Sequence, residues 1–186
     1  MKVRLTKSDW IKHGLRTLAD EGASALKVGP MSMRLEVSRG SFYWHFRDVA
    51  HFRSEILRSW QERTTDRVIR EIEAEPDRLT QLMRRAFDGK LSENRTAGHD
   101  EWAAERAIRS WATYDASVAT TVGSVDANRV DYIARLLVTA GVKPQRASAR
   151  AVFMYWAYLG QAFMMDRRFS PIVDTAIDEI SDLFGT

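Results

Sequence analysis

Ser38-Arg39-Gly40-Ser41-Phe42-Tyr43-Trp44-His45-Phe46 is the stretch on which the reading of this chain turns. Ser38 suits the N-cap of a helix, where a hydroxyl accepts a hydrogen bond from the open amides of the first turn. Phe42 and Phe46 stand four apart, so they share one face and can anchor a short helix to a small core. Arg39, Gly40, Ser41, Tyr43 and Trp44 fall on the opposite face. Adjacent Tyr and Trp seldom face water without a partner to meet. Arg, Ser, Tyr and His donate to phosphates or base edges, and Gly40 lets the backbone come close to a surface. The competing reading is a helix that buries aromatics on two sides.

Working outward, Thr6 and Asp9 form a capping-box start. Trp10, Ile11, Gly14, Leu15 and Leu18 then recur at helical spacing, and Gly22 suits the position just past the helix end. A second, short helix carries Met31 and Leu35. Pro30 is tolerated only in its first turn, so it begins near Lys27–Gly29. Glu36-Val37 is the turn, with Val37 directed back to the core. Three short helices with a tight turn between the last two make a helix-turn-helix. From Asp48, a second candidate N-cap, a periodic segment runs to Glu75 with Phe52, Ile56, Trp60, Val68 and Ile72 on its stripe, and Pro76 ends it.

The remainder also reads as helix. Leu79 to Phe87 is one segment and Trp102 to Tyr114 another, with a polar loop from Lys90 to Asp100 between them. Asp115 caps the next segment, which stops at Gly141. Pro144 opens a helix through Met165, and Ser170-Pro171 opens the last one, with Ile172, Ala176, Ile180, Leu183 and Phe184. No strand alternation and no internal repeat is visible. The expected fold is all-α, with about nine helices. A three-helix head over residues 1–50 precedes a helical body over residues 51–186.

Composition narrows the class. The 186 residues are 45% hydrophobic and 28% charged, enough to bury a real core. Without cysteine, disulfides and thiolate metal sites are excluded, and an intracellular, cytoplasmic protein is expected. The longest apolar run, Ala151 to Met165, is too short to span a bilayer, and the first residues lack a signal-peptide stretch. Charge is unevenly spread. Residues 1–53 hold ten Lys or Arg against five Asp or Glu, a net +5; the rest holds eighteen against twenty, a net −2. A basic head on a near-neutral body suits a polyanion partner.

With these residues in view, the chain resembles the TetR family of transcriptional regulators. The resemblance is strongest over residues 5 to 60. Leu35 to Asp48 is similar to that family's recognition-helix signature, above all in its aromatic, Trp, His, aromatic run followed by a basic residue. Glu105 to Ala112 also resembles the body of some members. The resemblance implies a homodimer whose two heads enter successive major grooves of a palindromic operator, and it leans to repression. It implies that Arg39 and Gly40 meet base edges, that Tyr43 lies near a base or thymine methyl, and that Ser41, Trp44 and His45 meet phosphates. Ser38, Arg47 and Lys27 complete the expected DNA-binding set. There are departures. Glu36 stands where the family usually carries Gly, so a strained or reshaped turn is expected. Val49 replaces a common Lys and removes one phosphate contact. Lys27-Val28-Gly29 replaces a Thr or Ser followed by a basic residue, so base contact from helix 2 looks poor and a modest salt slope is expected.

Two expectations concern the body. The helix from Ala147 to Met165 is apolar nearly all round, so one face is expected to meet a second copy of the chain. Ala151, Tyr155, Tyr158 and Ala162 would form that face, together with Ala176, Ile180 and Phe184 of the last helix. A small-molecule pocket is expected among Phe87, Trp102, Trp111, Tyr114, Tyr132, Phe153 and Trp156, with Arg106 and Arg109 as its polar groups. Plain core packing is the alternative for each of these aromatics. Ligand would release DNA by a population shift, with the segment 48–75 as lever.

Two further readings stand beside this one. A ligand-independent dimeric DNA binder would have a solid body. A helical enzyme with an aromatic pocket would need catalytic groups. His13, His45, His51 and His99 are scattered, with no His pair at metal-helix spacing, no glycine-rich phosphate loop and no nucleophile elbow. His99-Asp100-Glu101 reads as solvated. No catalytic residue, metal or cofactor is therefore expected.

Overall fold

The computed structural model describes residues 5–87, 95–164 and 179. Among them there is helix and no strand, in agreement with the all-α expectation. The elements are α1 (Lys7–Glu21), α2 (Val28–Arg34), α3 (Arg39–Tyr43), α4 (Val49–Gln61), α5 (Arg67–Glu73), α6 (Arg78–Phe87), α7 (Arg95–Ala112), α8 (Ala116–Thr139) and α9 (Pro144–Met164). Of the expected last helix, 170–184, only Glu179 is among the described residues.

The caps act as the sequence suggests. The Thr6 hydroxyl accepts from the Asp9 amide at 3.2 Å, and Asp9 accepts from the Thr6 amide at 2.8 Å, completing the capping box. Asp48 accepts from the His51 amide at 2.7 Å to open α4. Asp115 accepts from the amides of Ser117 and Val118 to open α8. Chain reversals follow α1 and α8 at Gly22 and Gly141, whose φ values of 80° and 95° carry no Cβ penalty.

Two expectations change. The segment 48–75 is not one regular helix, because a π-helical turn, Glu62–Asp66, lies between α4 and α5. There the Thr64 hydroxyl donates to the Trp60 carbonyl at 2.8 Å, a side chain competing with the backbone ladder, and such turns accommodate an extra residue. The polar loop expected over 90–100 is already helical from Arg95, since propagating a helix adds one hydrogen bond per residue, so α7 extends back from its apolar stripe despite Thr96, Gly98 and Asp100.

The chain divides into two compact units. One is Met1–Thr64 with Asp100–Val122; the other is Thr65–His99 with Gly123–Thr186. Packing thus groups α4 with the first three helices, while the functional division expected at residue 50 concerns what each part binds. In the first unit, α1 buries Trp10, Gly14, Leu15 and Leu18. Trp10 meets Phe42, and Gly14 lies against Phe52 and Ile56 of α4; these aromatic and aliphatic side chains, with Phe46 after α3 and Trp60 of α4, are at most 1% exposed. Gly14 is a close-approach site. A Cβ there would lie 2.6 Å from Phe52 Cζ and 2.8 Å from Ile56 Cδ1. Glu55, buried on α4, gathers Lys7 at 3.0 Å, Arg58 at 2.9 Å and His51 at 3.4 Å. In the second unit, Met83, Leu137, Val142, Ala147, Ala151 and Met154 form one core, and Ile72, Tyr132 and Leu136 another.

Candidate nucleic-acid interface

The recognition segment is built from its inner face outward. Phe42 is 1% exposed and meets Trp10 edge-on at 5.3 Å, Phe46 at 5.0 Å and Phe52 at 5.3 Å. Phe46 in turn packs on Phe52 at 4.8 Å. Four aromatic rings from α1, α3, the turn after it and α4 therefore clamp a helix too short to hold itself. The regular helix is shorter than the quoted stretch, Arg39–Tyr43, and its last turn closes through Trp44 and Phe46 amides onto Gly40 and Phe42 carbonyls.

Ser38 occupies the N-cap with extended backbone, but its hydroxyl makes no capping hydrogen bond, contrary to expectation. Its carbonyl instead accepts from the Ser41 amide at 3.0 Å. The hydroxyl thus stays on the surface that the helix presents. The turn before it is strained as expected, since Glu36 has φ +54°, the left-handed region that disfavours a Cβ. Val37 closes the turn with its amide donating to the Ser32 carbonyl at 3.0 Å.

The outward face agrees with the spacing argument. Ser38, Arg39 and Gly40 are exposed and Ser41 is half-buried. Tyr43 is 58% and Trp44 73% exposed, so the alternative of aromatics buried on two sides does not hold. A Cβ on Gly40 would meet only Ser38 Oγ, at 3.6 Å, so this backbone is open to close approach. Arg47 is exposed and leans on Asp48 at 2.9 Å. Lys27, exposed, stands at the start of α2. His45 is a correction. Its Nε2 lies 2.9 Å from the Leu5 carbonyl, to which it donates, so that nitrogen ties the segment to the start of α1 and is not open to a phosphate.

Several acids of the head are engaged by neighbours within it. The His51 amide and then Arg47 hold Asp48 below the usual carboxylate range, and the Thr6 hydroxyl does the same for Asp9. Arg34 pairs with Glu21. Burial opposes ionisation of Glu55, but Lys7, Arg58 and His51 outweigh it and hold the carboxyl low. Lys27 and Arg39 make no ion pair among the described residues. The surface beside α3 is left with positive charge, hydroxyls and aromatic faces, the set that meets a phosphate backbone and base edges.

The body candidates scatter. Trp102, Arg106 and Arg109 share one half-buried face of α7, and Arg109 Nε donates to Glu105 Oε1 at 2.8 Å. Glu105, 2% exposed, also accepts from Trp60 Nε1 at 2.8 Å, a buried polar link between α4 and α7 that hydrophobic spacing could not reveal. Trp111 is core, donating to Asp115 at 3.1 Å, with the Arg53 guanidinium 5.7 Å from its ring. Tyr132 is core in the second unit, where burial and the nearby Glu73 carboxylate push its phenol up to about 12. Tyr114, Phe153 and Trp156 are 67%, 59% and 67% exposed and so do not line an enclosed cavity. The Phe87 side chain lies outside the described residues.

The face of α9 expected to meet a second copy is core instead. Ala151 and Tyr155 are buried inside their own unit, at 0% and 4% exposure, and Tyr158 packs half-buried against the same core. The Tyr155 hydroxyl donates to Asp126 at 2.6 Å and accepts from Arg129 at 3.1 Å, which fixes that ring inward. Trp156 and Phe163 face outward instead. The Ala162 side chain, Ala176, Ile180 and Phe184 lie outside the described residues. The physical reason is that the Tyr155 hydroxyl finds polar partners inside its unit, whereas Trp156 is exposed.

No family model matches the chain, and no curated protein does. Solved structures match it over nearly its whole length. It is similar to a TetR-family transcriptional regulator from Rhodococcus sp., with a TM-score of 0.69, 18% identity, and 97% of this chain and 98% of that one covered. The chain has the TetR-family regulator fold. A transcriptional regulator from Rhodococcus sp. Rha1 matches this TetR-like chain with a TM-score of 0.68 and 18% identity over 97% of this chain and 94% of the other. A transcriptional regulator from Saccharomonospora viridis, crystallised in complex with choline, gives a TM-score of 0.66 and 16% identity over 96% and 92%. At such identities the TetR-like likeness is one of fold, and side-chain roles rest on the residues themselves. No helix of the described residues is long and apolar enough to cross a membrane.

Proposed function

We propose that this chain is a sequence-specific, DNA-binding transcriptional regulator, working as a homodimer on a palindromic operator and most readily as a repressor. One observation carries the reading: α3 is clamped inward by Phe42 while Arg39, Gly40, Tyr43 and Trp44 stand exposed on its other side. Arg39 supplies a two-pronged base contact, Gly40 and Tyr43 approach the base edges, and Ser38, Ser41, Trp44, Arg47 and Lys27 hold register on phosphates. Residues 1–50 bind DNA in this reading, and residues 51–186 dimerise and take a small molecule.

The outward row Phe153, Trp156, Gly160 and Phe163 on α9 supports a dimer face in place of the inward one expected from sequence. Trp102, Arg106 and Arg109 are the best placed of the candidate ligand residues. Their aromatic and cationic groups share one face of α7. Ligand would favour a conformation whose heads are wrongly spaced for the operator.

The test is selection of bound duplexes from random DNA with the purified full chain, beside an Arg39→Ala, Tyr43→Ala variant. Enrichment of a palindrome by the wild type alone is the expected result. Enrichment of nothing at low salt would overturn the reading. Thermal shift against a metabolite panel that includes choline separates a ligand-responsive regulator from a ligand-independent one, because a ligand of the native state raises the melting temperature by mass action.

A further inference from the structure

By sequence, Lys27-Val28-Gly29 at the start of α2 offers little to a base. The structure gives Gly29 a different relation to the recognition helix. A Cβ on Gly29 would lie 3.2 Å from an Arg39 terminal nitrogen, 3.6 Å from Cζ and 3.7 Å from Nε. With three of its atoms this near, the guanidinium occupies the space that a side chain at position 29 would fill. Arg39 forms no ion pair among the described residues, so no carboxylate holds it in that place. Val28 and Pro30 on either side restrict the local backbone, and Pro30 fixes its own φ. The backbone beside the guanidinium is therefore stiff.

We infer that Gly29 is a positioning residue for DNA reading: its missing side chain forms a shelf on which the Arg39 guanidinium rests, and the shelf sets the direction in which Arg39 meets a base. The inference rests on the DNA-binding reading proposed above. Its physical basis is pre-organisation. A flexible arginine loses rotamer freedom when it forms a two-pronged contact, and a side chain already laid on a surface loses less. Contact at 3.2 Å is too tight for a methyl group to enter without moving the guanidinium, and a longer side chain would occupy the shelf outright. Discrimination between bases, not attraction to phosphates, is the property that depends on it.

The experiment compares Gly29→Ala, Gly29→Gln and Arg39→Ala with the wild-type full chain. Each is titrated against the duplex that wild type enriches, against duplexes altered at one base pair at a time, and against a scrambled duplex. Arg39→Ala is expected to lower the ratio of enriched to scrambled affinity by about 5- to 160-fold, the range of a two-pronged arginine–base contact. Gly29→Gln should lose most of the same ratio, at the same base pair, and Gly29→Ala roughly two- to fivefold of it, with scrambled-duplex affinity nearly unchanged. Melting temperature should hold or rise in both, because Ala and Gln are better helix formers than Gly, which separates lost reading from lost folding. A ratio equal to wild type in Gly29→Gln, with Arg39→Ala impaired, overturns the shelf and leaves the DNA-binding reading intact. Unchanged selection by Arg39→Ala overturns the shelf and the Arg39 base contact while DNA binding stands, and no enriched duplex at all overturns both readings.

Discussion

The recognition segment and α9 are the two aromatic-rich stretches of this chain, and their aromatics behave in opposite ways toward sequence reading. In the first, Phe42 and Phe46 go inward while Tyr43 and Trp44 go outward, as the four-residue spacing requires. In α9, Phe153, Tyr155, Trp156 and Tyr158 surround the helix, and spacing selects no face. There the decision falls to partners. Asp126 and Arg129 draw the Tyr155 hydroxyl inward, and Trp156 is left outside. A single apolar stripe orients a helix from its sequence; an all-round apolar helix is oriented only by what it packs against.

The sharpest way to break this comparison is to remove one inward and one outward ring from each segment. Phe42→Ala should cost about 3–5 kcal/mol by chemical denaturation, whereas Tyr43→Ala should stay within about 0.5 kcal/mol. On α9, Tyr155→Phe should cost about 1–3 kcal/mol by removing one hydrogen bond from buried Arg129 and one from half-buried Asp126. Trp156→Ala should leave the stability of the monomer within about 0.5 kcal/mol and weaken self-association measured by sedimentation. A large loss of monomer stability in Trp156→Ala would reverse the assignment of the α9 faces.

Gly14→Ala tests the clamp from behind. Helix propensity alone favours Ala by about 1 kcal/mol, but a Cβ 2.6 Å from Phe52 should make the change destabilising by about 1–3 kcal/mol. The sign of the measured difference decides between propensity and packing. Glu36→Gly should stabilise the head by roughly 0.5–1 kcal/mol, because glycine carries no Cβ penalty at φ +54°. A thermal melt that falls instead would show that the Glu36 side chain does something its backbone strain conceals.

The smallest effect is one of pH. Glu55 ionises in the folded head below its ordinary value of 4.5, because Lys7, Arg58 and His51 outweigh its burial. Below that value the unfolded chain binds more protons than the folded one, so stability is complete above about 4.5 and falls as pH drops further. Glu55→Gln should lower stability at pH 7 and flatten the decline below pH 4.5 in denaturation profiles. A parallel profile would remove Glu55 from the account.

Caps, turns and the helix-turn-helix were legible because their signals are local. Thr6 with Asp9, Asp48, Asp115 and Gly141 act on amides or dihedrals only a few residues away. The departure at Glu36 was equally visible, and its positive φ follows. What stayed hidden depends on distant partners. His45 reaches Leu5, forty residues away, and Trp60 reaches Glu105 across forty-five. Neither partner carries a mark that pairs it with the other. The π-helical turn at Glu62–Asp66 leaves no mark in the sequence either, since apolar periodicity tolerates one extra residue.

Taken alone, the sequence determined that this chain is helical, where most helices start and stop, and which face of the recognition segment is apolar. These follow from backbone propensity, capping chemistry and the 3.6-residue period, which act within a few residues. Only the tertiary structure decided which face of α9 is core, that His45 is tied to Leu5, and that the Arg39 guanidinium lies against Gly29. Each of those depends on where a second element comes to rest, and side-chain packing between elements far apart in sequence is not contained in the spacing of either one.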